Sequence, residues 1–242
     1  MPVANPVPDT SATLTPRRLA LRRRWYGNLP SPERVYLESL LRLCTPTSRV
    51  LDIGCGRFTP TLERLPKTCL RVGIDLVEDL QQTGPHVVRG NAERLPFANG
   101  SFDLICCRSV LEHVHDPQLL FREISRCLQP GGTFIFLTPN RWDYVSIVAR
   151  IIPNRWHGTL VQWLTGRAPE DVFPTYYRAN DASALRQLTS SSGLTLTSLT
   201  SLRQHPHYLG RYRWAYAVGI LLEAVQQRVP AIRPWLLGAA TR

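Results

Sequence analysis

At 242 residues with 43% hydrophobic content, the chain can bury one full core with room for a small appended subdomain, which excludes two independent large domains. The formal charge of +11 is carried almost wholly by arginine, since Lys67 is the only lysine among 29 basic residues. Such a surplus bears on association with nucleic acid, anionic lipid or an acidic small molecule, and by itself selects none of them.

Residues 1–30 are Pro/Thr-rich and then basic through Arg17, Arg18, Arg22, Arg23 and Arg24. They hold no secretory apolar core and read as a flexible basic arm, with an organellar transit peptide as the alternative. Residues 31–242 read as one domain. Ser31-Pro32 caps and opens a helix whose apolar face is Val35, Leu37, Leu40, Leu41 and Cys44.

A short apolar strand over 49–53 then runs into Gly54-Cys55-Gly56, a turn whose glycines bring backbone close to a ligand without an intervening side chain. The dinucleotide fingerprint is incomplete, because Thr59 stands where its third glycine would fall. A short helix is expected near 60–65, a second strand over 70–74 ending on Asp75, and a third over 86–89 leading into Gly90-Asn91-Ala92-Glu93. A fourth strand covers 104–107 and breaks at Arg108-Ser109. This alternation predicts a parallel α/β sheet, and each break falls where open sheets of that class bind ligands.

Asp116-Pro117 caps a helix through Ile124 and Leu128, the turn at 129–132 ends it, and a fifth strand covers 133–137. From 141 to 180 the pattern is irregular, with Trp142, Tyr144, Trp156, Trp163, Phe173, Tyr176 and Tyr177 among arginines and prolines, which reads as a lid or substrate-binding insertion. A capped helix from Asn180-Asp181, a sixth strand over 194–202, a helix over 211–229 and a last short strand over 235–240 complete the chain.

The six cysteines form no Cys-x-x-Cys pair and lie mostly in apolar runs, which points to a reducing, cytoplasmic setting without disulfides. The pairs His113/His115 and His205/His207 lack the cysteine or carboxylate company of a zinc site, so no metal is expected. No run reaches the roughly 18 to 20 apolar residues that span a bilayer; the longest candidate covers 214–222.

Taken together, Val50-Leu51-Asp52-Ile53-Gly54-Cys55-Gly56, Gly73-Ile74-Asp75-Leu76, the block 90–97 with Ser101-Phe102-Asp103, Leu111-Glu112-His113-Val114 and Leu128-Gln129-Pro130-Gly131-Gly132 resemble the class I, Rossmann-like S-adenosylmethionine-dependent methyltransferases. The likeness covers 49–140 and is closest to the small-molecule branch that includes quinone-biosynthesis enzymes. It implies a mostly parallel seven-stranded sheet flanked by helices, with the insertion after the fifth strand and a C-terminal part over 181–242. S-adenosylmethionine is the implied cofactor. Its site would be formed by Asp52, Gly54, Cys55 and Gly56 at the methionine end, Asp75 and Leu76 at the ribose, Asn91, Ala92 and Glu93 at the adenine, and Arg108 and Ser109 at the amino-acid end.

Asp75 can accept both ribose hydroxyls. Relatives usually carry Asp where Asn91 stands, and many carry a glycine where Phe58 stands. His113 is the candidate general base, since histidine titrates near neutrality; packing beneath the cofactor is the other reading of it. Glu112 reads as a surface charge and Asp116 as a helix cap.

The sulfonium cofactor is already activated, so the expected mechanism is direct in-line displacement on a small-molecule acceptor, at an oxygen or a carbon nucleophile. Tyr26, Tyr177 and Arg178 are the candidate acceptor contacts, with fastening of the lid to the sheet edge the alternative for the last two. A membrane-surface lipid or quinone methyltransferase is a second reading, from the basic arm and the mixed apolar and basic stretch 208–222. The charge also admits an RNA methyltransferase, against which stand the absence of an Asn-Pro-Pro-Tyr-type motif and of any RNA-binding module. A non-catalytic assembly factor on the same fold is a third alternative. The sequence is silent on oligomeric state.

Overall fold

The computed structural model describes Gly27 and residues 29–80, 84–151, 173–204 and 213–242. Its strands are β1 (Arg49–Ile53), β2 (Leu70–Asp75), β3 (His86–Arg89), β4 (Phe102–Arg108), β5 (Leu128–Pro139), β6 (Thr195–Leu202) and β7 (Trp235–Thr241). They form one sheet in the order β3-β2-β1-β4-β5-β7-β6. The first five strands are mutually parallel, and β7 runs antiparallel to both β5 and β6. All turns that leave β1 to β5 therefore gather along one carboxyl edge.

Alternation along these strands separates two apolar layers. Leu51, Ile105, Cys107, Phe134 and Phe136 face one way, and Val50, Leu104, Cys106, Ile135 and Leu137 the other. Cys106 and Cys107 thus point to opposite faces, as consecutive strand residues must. Helix α1 (Pro32–Leu43) covers the second layer with Tyr36, Leu37 and Leu40, and its Ser31 side chain accepts from the Arg34 N–H. Helix α2 (Pro117–Cys127) covers the first layer with Leu120, Phe121, Ile124 and Cys127. Asp116 caps it by accepting from Gln118 N and Leu119 N, the capping role read from the sequence and worth about 1 kcal/mol.

The helix expected near 60–65 is only a three-residue 3-10 turn, Leu62–Arg64. Pro60 and Pro66 bracket it, and the residue before a proline is driven out of helical conformation, so no second turn can form. Conversely, the irregular stretch after β5 contains a helix, α3 (Tyr144–Ile151), opened by Asp143, whose side chain accepts from Val145 N. Helix α4 (Ala182–Ser191) is capped by Asp181 and buries Leu185 and Leu188 in the first layer, and α5 (Arg213–Arg228) precedes β7. The basic arm with Tyr26, the aromatics Trp156 and Trp163, and Tyr208 lie outside the described residues.

Candidate active site

The chain leaves β1 through Gly54 and Gly56, whose φ angles of +72° and +68° explain both glycines. Gly54 N donates to Ile74 O at 2.8 Å, which holds the turn against the end of β2. A Cβ on Gly54 would lie 2.0 Å from Val110 Cγ2, so the turn also packs directly on the segment that leaves β4. A Cβ on Gly56 would meet nothing within 4 Å. Open space therefore adjoins this part of the turn.

Asp75 stands beside it at the end of β2. Its Oδ2 accepts from Gly56 N at 2.7 Å and its Oδ1 from Val77 N at 3.1 Å. A carboxylate has about four acceptor positions, so each oxygen retains one for a ligand hydroxyl. The next residue, Leu76, is 59% exposed and offers an apolar surface at the same edge.

Asp52 and Cys55 serve the turn from inside the core. Burial pushes the Asp52 carboxyl up to about 7, against the pull of the Cys106 thiol, which donates to Oδ1 at 3.4 Å, and of the Arg108 guanidinium. Burial likewise pushes the Cys55 thiol up to about 12, and Gly73 leaves it room, since a Cβ there would lie 2.6 Å from Cys55 Sγ. Cys55 is thus a packing group and no nucleophile. Arg108 at the end of β4 pairs with Glu33 of α1 at 2.5 Å, tying the first turn of that helix to the carboxyl edge. Ser109 follows with a φ of +58°.

After β3, Asn91 Oδ1 accepts from Glu93 N at 2.8 Å, which makes a tight Asx turn. Ala92 packs against the first core layer. Glu93 Oε1 accepts from His115 N and Asp116 N at 3.0 and 2.9 Å, so this side chain ties the loop after β3 to the segment after β4.

That segment carries His113. Its Nδ1 lies 2.8 Å from Pro174 O, and because a carbonyl can only accept, Nδ1 carries a proton; in the neutral tautomer Nε2 then holds the lone pair. Nε2 lies 3.9 Å from Glu112 Oε1. Glu112, expected on the surface, is instead buried at 6% exposure, because the 3-10 turn Leu111–His113 folds it inward with Leu111. Burial raises its pKa, opposed by His113 and by Thr138. Thr138 Oγ1 donates to Glu112 Oε2 at 3.3 Å and itself accepts from Asn180 Nδ2 at 2.6 Å.

Tyr177 and Arg178 are brought to the same place. Tyr176 N and Tyr177 N both donate to Glu112 O, and Arg178 donates to His115 O at 2.6 Å. Tyr177 is buried with a φ of +52°, while Arg178 is exposed, so the N–H groups of Tyr176 and Tyr177 and the Arg178 guanidinium fasten residues 173–180 to the segment after β4. The Glu112-Thr138-Asn180 chain escaped the sequence reading. Its one available signal was that Thr138 leaves β5 alongside the end of β4.

A parallel sheet of this order with a reversed β7, a glycine turn after β1 and an acidic end to β2 defines the class I methyltransferase fold. Residues 51–136 match the family model described as "Methyltransferase domain". The ubiquinone biosynthesis O-methyltransferase of Coxiella burnetii is 27% identical over 190 residues, spanning 74% of this chain and 76% of that protein. The methyltransferase YcgJ of Bacillus subtilis is 34% identical over 105 residues, 39% of this chain and 42% of that one.

Among solved structures, geranyl diphosphate C-methyltransferase from Streptomyces coelicolor, in complex with Mg2+, geranyl diphosphate and S-adenosyl-L-homocysteine, shares the fold. Its TM-score is 0.56 at 18% identity, covering 87% of this chain and 78% of that one. Residues 51–136 thus carry a methyltransferase domain, the chain has the class I methyltransferase fold, and its relatives are methyltransferases. The open space at Gly56, the two spare acceptor positions of Asp75 and the exposed Leu76 fit S-adenosylmethionine.

Proposed function

We propose that the chain, residues 31–242 acting as one domain, methylates an oxygen, or failing that a carbon, nucleophile of a small-molecule acceptor. The observation that carries this reading is His113, whose Nδ1 donates to Pro174 O so that a neutral ring presents its Nε2 lone pair, on a segment whose Val110 touches the glycine turn. When bound, S-adenosylmethionine would supply a methyl group on a sulfonium, whose carbon–sulfur bond breaks as the acceptor bonds the methyl carbon, releasing a neutral thioether. The protein's share is then to bind, align and dehydrate.

Gly54 and Gly56 line the methionine end, and Asp52 and Cys55 support them. Asp75 grips the ribose hydroxyls, Leu76 with Asn91, Ala92 and Glu93 borders the adenine, and Arg108 and Ser109 border the amino-acid end. His113 Nε2 takes the acceptor proton, and the resulting imidazolium is stabilised by Glu112 at 3.9 Å. Tyr177 and Arg178 flank the acceptor. The names of two relatives support a small acceptor, since one is an O-methyltransferase of ubiquinone biosynthesis and the other a C-methyltransferase of geranyl diphosphate.

The same names support peripheral membrane contact, because ubiquinone and geranyl compounds are lipid-like, and the free cysteines support work in the reducing cytoplasm. Among the described residues no helix is long and apolar enough to cross a membrane. The test is transfer from labelled cofactor to fractionated cell extracts. Label is expected in small organic-soluble metabolites; label confined to tRNA or rRNA would contradict the proposal.

A further inference from the structure

Two helices of this protein are turned inside out. On α5, Gly219, Glu223 and Gln226 recur at helical spacing on one face and are buried, the two polar side chains to 3% and 5% exposure. The opposite stripe, Val218, Leu221 and Val225, is 47%, 68% and 53% exposed. Helix α3 repeats the inversion: its capping Asp143 and its Ser146 are buried, while Ile147, Val148 and Ile151 are exposed, Ile151 to 75%.

Gln226 Nε2 donates to Asp143 Oδ1 at 2.9 Å, so the polar faces of the two helices meet and their apolar stripes belong to one unit. A helix packed on a core in water does the opposite. A single exposed leucine needs no explanation, but stripes on two adjoining helices mark an interaction surface.

Charge identifies the occupant. Among the described side chains of α3 and α5, the exposed charged groups are Arg150 and Arg228, and Glu223 is buried. At the foot of α3, exposed Arg150 stacks on half-exposed Trp142 at 5.7 Å, and Arg141, half-buried and paired with Asp181, stacks on it from 5.3 Å. An apolar face with guanidinium groups and an indole at its edge suits the boundary between acyl chains and anionic headgroups. Two-fold pairing of the same face would bring like cations together.

We propose that the exposed stripes of α3 and α5 form a docking surface for an anionic lipid bilayer, on which the protein lies without crossing it. Helix α3 follows directly on the carboxyl end of β5, so the docked surface adjoins the edge where the acceptor is methylated, and a lipid-soluble acceptor has a short route there. The proposal rests on the membrane-contact reading above and is independent of the chemistry at the glycine turn.

Flotation of the full chain with phosphatidylcholine vesicles, with and without phosphatidylglycerol, tests it. Binding to the phosphatidylglycerol vesicles is expected, weakened on the order of tenfold or more by Leu221→Glu with Val225→Glu, and less by Leu221→Ser with Val225→Ser. Thermal melting and cofactor affinity should be unchanged in both variants, since these positions are exposed and distant in sequence from the cofactor turn. Wild-type binding undiminished in both variants overturns the surface while leaving membrane contact standing. Absence of wild-type binding overturns surface and membrane contact together, with methyl transfer unaffected, and a wild-type dimer dissociated by the glutamates assigns the face to self-association.

Discussion

Asp52 and Asp75 end or nearly end neighbouring strands, yet their carboxyls meet opposite surroundings. Asp75 receives two backbone N–H groups at the open edge, whereas Asp52 is 2% exposed and pushed up to about 7 by burial. A carboxyl with a folded-state pKa above its ordinary value contributes stability that is fully present below about pH 4 and is lost as pH rises through about 7. The melting temperature of wild type should therefore fall more steeply over that window than that of Asp52→Asn; parallel curves would contradict the assignment. Glu112 and Asp143, also raised by burial, shift both curves alike. For His113, replacement by Gln should lower kcat by about a hundredfold or more with cofactor affinity unchanged. An unchanged kcat would reduce the imidazole to packing.

At the level of elements, the glycine turn works because two close approaches coincide. Gly54 has a φ of +72° and sits where a Cβ would overlap Val110, so Gly54→Ala should cost well over about 1 kcal/mol of stability by denaturant unfolding. Loss of less than that would mean that the loop after β4 is free to retreat. Turns and caps of this kind were legible, because Ser31, Asp116 and Asp181 act through neighbours in sequence. The burial of Glu112 was not, since it depends on Thr138 and Asn180, which reach it only once β5 lies beside β4. For the same reason the inverted faces of α3 and α5 were hidden. Their apolar residues have ordinary helical spacing, and only the packing tells which stripe faces water.

Over the whole molecule, the order of strands is what converts separate motifs into a site. Parallel pairing of β1 with β2 and β4 brings Gly56 within 2.7 Å of Asp75 and sets Gly54 against Val110, although these residues lie far apart in the chain. The strand-and-helix alternation was readable from apolar runs and glycine breaks, while the place of β7 between β5 and β6 follows from long-range pairing that no local pattern encodes. The central claim is that the open edge beside Gly56 and Asp75 is the cofactor site. Calorimetric titration of S-adenosylmethionine into wild type and Asp75→Ala tests it most directly. Wild type is expected to bind, and the variant at least about tenfold more weakly, or about 1.4 kcal/mol; equal affinity in the two proteins would contradict the assignment.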